Sequence, residues 1–155
     1  MHLPGQSLNH LSTAEIFLLN TLRPALSELG IGVYELGDAY EVQVRNGEAV
    51  RVSAQMPYVV YDLRPAPDRW SKMGVTYTRF DTTVRAVMRT LYKRDAEAPV
   101  AAIDGALRSA VGEVDGVRVT CRRTATFNAP LYYLSGDNTP TRECGIRTEV
   151  KVWEG

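Results

Sequence analysis

The chain has 155 residues and a mass of 17.2 kDa, the length of one domain with a sizeable core. Its 18 basic and 18 acidic side chains cancel, which argues against non-specific adhesion to nucleic acid or an anionic membrane and leaves room only for a local basic patch. No apolar run approaches the roughly 20 residues of a membrane span, the N-terminus has no signal-peptide pattern, and two cysteines are too few for a disulfide scaffold or a four-ligand zinc site. The expectation is a chain of cytosolic origin.

Residues 1–11 contain Pro4, Gly5, Ser7 and Asn9 without a clear period, and read as a flexible arm before a single domain over residues 12–155. Ser12 and Glu15 then form a capping-box pair. Ile16, Leu19, Leu22, Leu26 and Leu29 follow at helical spacing, and Gly30 supplies the stop. Pro24 falls inside this helix and should kink or split it. A short strand over residues 32–36 comes next.

The segment around Asn46-Gly47 is a hairpin signal, inserted at about residues 40–53. A two-residue turn sets Val44 opposite Ala49 and Val42 opposite Arg51. A three-residue loop sets Val44 opposite Val50 and Val42 opposite Val52, which brings apolar side chains together and is the preferred register. Residues 57–63 (PYVVYDL) are nearly continuous apolar sequence and predict a central strand. Residues 64–74, with Pro65, Pro67 and Trp70, read as a polar loop.

Residues 78–90 (TRFDTTVRAVMRT) are the most informative stretch. Phe80, Thr82, Val84, Ala86 and Met88 alternate with Arg79, Asp81, Thr83, Arg85, Val87 and Arg89, a period of two that sets one face on a core and the other in water. A strand of this length spans about 40 Å, so it crosses the whole domain. Its mixed-charge face looks uncovered by any helix. A second helix opens near Asp95 and Pro99, with Val100, Ile103, Leu107, Ala110 and Val111 as its stripe and Gly112 as its end. Two more strands follow, one holding Cys121 and the other residues 142–153 with Cys144. The thiols should be buried, on the inner face of neighbouring strands. The order of elements predicts an α/β (α+β) fold: a mostly antiparallel mixed sheet, two helices packed on one face, and the inserted hairpin.

Chemistry is hard to find. The only histidines, His2 and His10, lie in the arm, where a base is not held in place for a nucleophile. Asp62 with Asp81, Glu113 with Asp115, and Asp137-Asn138 read as surface charge or turns rather than acid–base or metal pairs. Gly30-Ile31-Gly32 follows a helix, so it does not cradle a phosphate between strand and helix. No catalytic, cofactor or metal residue is assigned, and the chain is not expected to be an enzyme.

Three features suggest recognition instead. Arg69, Trp70, Lys72 and Met73 put a large aromatic among cations, either as an interface anchor or folded back on the core. Arg79, Asp81, Arg85 and Arg89, with Arg122, Arg123 and Glu149, form either a solvated face or salt bridges across subunits. Asn46 and Gly47 tip a hairpin that either reaches a neighbour or stays a plain surface element.

The series of a helix, a Val-Tyr strand (GVYELG), a Pro-Tyr-Val-Val-Tyr strand, a long Thr- and Val-rich strand, a short amphipathic helix, an Arg-rich strand, a proline-containing loop and a final strand ending Val-Lys-Val-Trp resembles the tail terminator (tail completion) proteins of long, non-contractile-tailed bacteriophages. The resemblance covers about residues 13–153. It implies a subunit of a hexameric ring at the head-proximal end of the virion tail, assembled in the host cytoplasm. Such a ring stops tail tube polymerisation and joins the head-side connector or stopper protein. The partners implied are other copies of the chain, the tail tube protein and the connector; DNA passes through the lumen without specific binding, and no membrane or cofactor is involved. Another neck component, or less directly a small enzyme or ligand-binding domain, is the rival expectation.

Overall fold

A computed structural model describes residues 6–36, 40–45, 48–53, 56–72, 75–134 and 138–154. In chain order the elements are α1 (Gln6–Ser27), β1 (Gly32–Glu35), β2 (Tyr40–Arg45), β3 (Glu48–Ser53), β4 (Tyr58–Lys72), β5 (Val75–Arg89), a 3₁₀ turn (Lys93–Ala96), α2 (Glu97–Leu107), β6 (Val111–Val114), β7 (Val117–Asn128), β8 (Tyr132–Leu134) and β9 (Thr139–Glu154). The main sheet runs β1-β4-β5-β9-β7-β6, and β8 continues the row that β7 leaves beside β9. Only β1 and β4 pair in parallel. The fold is α+β, as the order of elements predicts, with both helices packed on one face.

Alternation along β5 and β9 places the core. Phe80, Val84, Ala86 and Met88 from β5 and Cys144, Ile146, Val150 and Val152 from β9 are buried, together with Val119 and Cys121 of β7 and Val59 and Tyr61 of β4. Ala14, Phe17, Leu18, Leu22 and Leu26 of α1 and Ile103 and Leu107 of α2 close this layer. Each fully buried leucine is worth roughly 2 kcal/mol relative to exposure, which is what holds α1 to the sheet.

Several sequence expectations need correction. α1 begins at Gln6 rather than at Ser12, so residues 6–11 of the expected arm are helical. Its buried stripe follows Ala14, Leu18, Leu22 and Leu26, while Ile16 and Leu29 are exposed. Pro24 neither ends nor splits the helix: it sits in the last turn, where only one intrahelical bond is lost.

The hairpin β2–β3 takes the two-residue register, Arg45 opposite Glu48, Val44 opposite Ala49 and Val42 opposite Arg51, and forms a sheet of its own. The two-residue spacing between Arg45 and Glu48 is the one an Asn-Gly pair favours, and it prevails over the apolar pairing of the alternative register.

The expected loop after Leu63 is strand. β4 runs to Lys72, opposite Val75, with Trp70 opposite Tyr77. A register shift between Pro65 and Arg69 absorbs the proline-rich piece as a bulge. Beyond Tyr61 this strand is an edge, where proline is tolerated. The Tyr61 carbonyl accepts the Leu36 N–H on that side at 3.0 Å. By alternation Leu63 and Pro65 face the same open edge, and Pro65 has no N–H to offer an added strand.

α2 ends at Leu107, and Val111, expected on its stripe, starts β6 and is exposed. Asp115 (φ 50°) and Gly116 (φ 80°) then make a two-residue hairpin turn into β7. Left-handed φ at both central positions is the type I′ geometry that matches strand twist.

Candidate functional site

The sheet face opposite the helices is the candidate site, and it is built from the odd positions of β5. Tyr77, Arg79, Asp81, Thr83, Arg85 and Val87 lie opposite Trp153, Lys151, Glu149, Arg147, Gly145 and Glu143 of β9. β7 adds Thr120, Arg122, Ala125 and Phe127; β4 adds Arg64, Asp62, Val60 and Tyr58.

Among the described residues no helix covers this face, as expected, but one end of it is not open. Tyr58, Val60 and Val87 are buried there against Leu36 and Met56, which bracket the excursion from β1 to β4. Val87 interrupts the run of polar and charged residues from Arg79 to Arg89 in this phase of β5, and this cover is why.

The centre is open and charged. Arg85 pairs with Glu143 at 2.8 Å, Arg64 with Asp62 at 2.8 Å, Arg122 with Glu149 at 3.2 Å and Arg79 with Asp81 at 3.4 Å. Asp62 and Asp81, read from the sequence as surface charge, lie on adjacent strands of one face, and each carboxylate has its own arginine. Between these pairs lies a concavity of about 600 Å³ bordered by Arg64, Thr83, Arg85, Phe127 and Arg147. The Arg85 guanidinium stands 5.6 Å from the Phe127 ring centre and that of Arg147 5.9 Å. The two arginines meet Phe127 because Gly145, opposite both Arg85 and Phe127, has no side chain to separate them.

At the other end the Tyr77 and Trp153 rings meet at 4.8 Å, inclined at 54°, with the Lys151 ammonium 4.7 Å from the tyrosine ring and Arg118 5.7 Å from the indole. The indole N–H donates to the Thr120 hydroxyl at 2.9 Å.

Phe127 and Arg147 were not among the sequence candidates. β7 carries a register shift between Arg123 and Ala125, with the Thr124 hydroxyl donating to the Arg147 carbonyl at 3.2 Å. One extra residue reverses the alternation: Arg122 lies outward before it, Ala125 and Phe127 after it. A strict period of two turns Phe127 inward. Arg123, expected beside Arg122, lies on the helix side, 3.2 Å from Asp104 of α2.

Of the remaining candidates, Arg89 is exposed at the far end of β5. Arg69, Trp70 and Lys72 lie on β4, away from the charged centre along the strand. Asn46, Gly47, Met73 and Asp137 fall outside the described residues, while Asn138 takes a left-handed turn conformation (φ 56°). Glu113 and Asp115 belong to the β6–β7 hairpin.

His10 is held in place, against the expectation of a mobile base. Its Nδ1 lies 2.9 Å from the Thr78 hydroxyl and 3.2 Å from a Glu154 carboxylate oxygen. Both contacts use one ring nitrogen, whereas a relay needs the nucleophile and the orienting carboxylate on different nitrogens. Thr78 is moreover buried. The arrangement ties α1 to the ends of β5 and β9.

Cys121 and Cys144 are buried free thiols on neighbouring strands, as expected. Cys121 lies opposite Val150, six residues along β9 from Cys144, about 20 Å away. Burial pushes the Cys121 thiol up to about 12. Cys144 is also raised by burial, with Arg142 and Lys93 pulling the other way. Neither is a ready thiolate. Among the described residues no three His, Cys, Asp or Glu side chains gather as a metal site, and no helix is long and apolar enough to cross a membrane.

No family model matches the chain, and no curated protein resembles it in sequence. A solved structure is similar in fold, with a TM-score of 0.51 at 19% identity over 89% of this chain and 94% of its own. At that identity the likeness speaks to the fold alone.

Proposed function

We propose that this chain is a structural virion subunit of the tail terminator type. Copies assemble into a closed ring, most simply of six, which caps the finished tail tube, stops its polymerisation and presents the joint to the head-side connector. The observation that carries this reading is the open outer face. Its charges are spread as separate arginine–carboxylate pairs over four strands instead of converging on one reacting point. A broad lattice of partly exposed pairs suits a large wet contact between subunits, or a lumen wall past which DNA slides.

Sedimentation velocity and electron microscopy of the purified protein test this reading, followed by incubation with tail tubes and with capsid portals. Rings that bind tubes are expected. A monomer at every concentration, with no affinity for tubes, refutes it, and binding to portals alone moves the protein to another neck position. Trp70→Ala should weaken assembly while leaving the melting temperature of the monomer unchanged.

A ligand-binding domain is the second reading, favoured by the concavity around Phe127, where three arginines border one aromatic ring. A rise in melting temperature with millimolar phosphate or dicarboxylate, lost in Arg147→Ala, supports it.

A further inference from the structure

We propose that copies of this chain join head to tail, with the acidic β6–β7 turn of one copy seated against the basic loop after β5 of the next. This contact deepens the ring reading and rests on it. The two surfaces lie at opposite ends of the sheet. Arg89 pairs with Thr141 at the start of β9, whereas Val119, just after the β6–β7 turn, pairs with Val152 near its end. Along β5 the ends are about 40 Å apart, so one copy cannot join them to itself.

Each surface presents exposed apolar side chains beside charge mainly of one sign. At the turn end Val111 is 64% exposed, and Glu113 and Asp115 are exposed beside it. Arg118, an exposed cation directly opposite Glu113 in the hairpin, lies over the Trp153 ring, 5.7 Å from its centre. At the loop end Leu91, Tyr92 and Tyr133 are 49%, 55% and 55% exposed. Lys93 and Arg94 are exposed there, and neither they nor Glu113 and Asp115 have an ion-pair partner among the described residues. Asp95, the nearby acid, accepts the Thr90 hydroxyl.

The receiving surface is shaped as well as charged. The Arg142 guanidinium donates twice to the Leu91 carbonyl, at 2.7 and 3.1 Å, and fixes the loop beside a groove of about 590 Å³. Lys93, Asn128, Pro130, Leu131 and Arg142 line it, with Cys144. The donor is a two-residue type I′ hairpin turn, a compact shape set by its backbone. Apolar contact at the centre with opposite charges around it is the usual anatomy of a specific interface. Because the two patches differ, the contact is heterologous and propagates until the rotation closes a ring. Arg89, Lys93, Arg94 and Arg142 at this end also suit a polyanion. The acidic counterpart on the same neutral chain favours a second copy.

Charge exchange tests the contact in the full-length protein. One variant carries Glu113→Lys with Asp115→Asn, since asparagine tolerates the left-handed backbone at that position; the other carries Lys93→Glu with Arg94→Glu. In sedimentation velocity each alone should associate about 100-fold more weakly than wild type, because like charges then face each other. An equimolar mixture should regain assembly, since every junction between unlike variants restores opposite charges. That recovery also shows that both variants fold. If both variants assemble as well as wild type, this contact is wrong while the ring stands. A monomeric wild type sinks both ideas. Failure of the mixture to assemble, with a DNA duplex binding the wild type and not the Lys93→Glu, Arg94→Glu protein, makes the loop a nucleic-acid site and overturns the proposal.

Discussion

Replacing Gly145 with alanine tests the packing that brings the outer-face side chains together. A Cβ at this position would stand 1.9 Å from the Val84 carbonyl oxygen, 2.8 Å from its carbon and 2.6 Å from the Arg85 Cα. All three are backbone atoms of β5, so no side-chain rotation relieves the clash. Relief requires β5 and β9 to move apart in the middle of their ladder. Overpacking in well-packed sites costs about 1–3 kcal/mol, and a backbone clash belongs at the upper end or beyond. A loss of about 3 kcal/mol is a sizeable part of the roughly 8–20 kcal/mol expected for a domain of this length. It lowers the melting temperature by about 6–12 °C.

Gly105 is the internal control, because a Cβ there meets nothing within 4 Å and the residue lies inside α2. Gly105→Ala should raise stability by about 0.5–1 kcal/mol. Calorimetry and urea unfolding measure both, with an unchanged m-value securing the comparison. If Gly145→Ala melts within 1–2 °C of wild type, the close approach of β5 and β9 is wrong, and with it the account of how Arg85 reaches Phe127.

His10→Ala should cost about 1–2 kcal/mol and speed amide exchange selectively in the first two turns of α1; unchanged exchange there removes the clasp to Thr78 and Glu154. Phe127→Ala should cost less in stability than the loss of a core phenylalanine, since its ring lies between two arginines on the open face, and a penalty above about 3 kcal/mol would place it in the core instead. The Cys121 thiol keeps its proton in the native state up to about 12, whereas the unfolded chain loses it near 9.0. Stability should therefore fall as pH rises through that window, by about 1.4 kcal/mol per pH unit from this group. The slope difference between wild type and Cys121→Ala measures it, and equal slopes contradict the burial. Below pH 9 neither state is ionised at this thiol, and the difference should vanish.

The sheet was legible in the sequence wherever one face is buried and the other wet. β5 and β9 alternate cleanly, so their inner rows, Phe80 to Met88 and Cys144 to Val152, could be named without coordinates. Local rules misled where a tertiary feature overrode them. Prolines 65 and 67 read as loop because a central strand cannot hold them, but β4 is an edge at that point. Gly112 read as a helix stop, yet it lies in β6, where a Cβ would meet the Phe17 ring at 2.7 Å. His10 read as part of an arm because the residues before Ser12 have no apolar period; a helix tied down by polar contacts leaves no such trace. Phe127 was invisible for a different reason, since a one-residue bulge changes which face a side chain occupies without changing the composition around it.

The same logic explains why the charged face is smaller than the alternation of β5 implies. β1 and β4 are parallel neighbours, so the chain between them must cross the sheet, and among the described residues no helix does the crossing. The two helices already occupy one face. The crossing therefore begins and ends on the other, with Leu36 and Met56 lying over Tyr58, Val60 and Val87. An apolar residue in the polar phase of a strand is the sequence mark of such a cover, and Val87 carries it in β5. At Val87 the outer face is interior, and Arg89 beyond it is exposed again. The open part of the face runs from Arg85 to Tyr77, where paired charges and cations beside aromatic rings leave the polar surface that the proposed assembly would use. Strand addition is opposed at the β4 edge, where Pro65 removes a donor, and the proposed ring contact uses side chains instead, at the β6–β7 turn and the loop after β5.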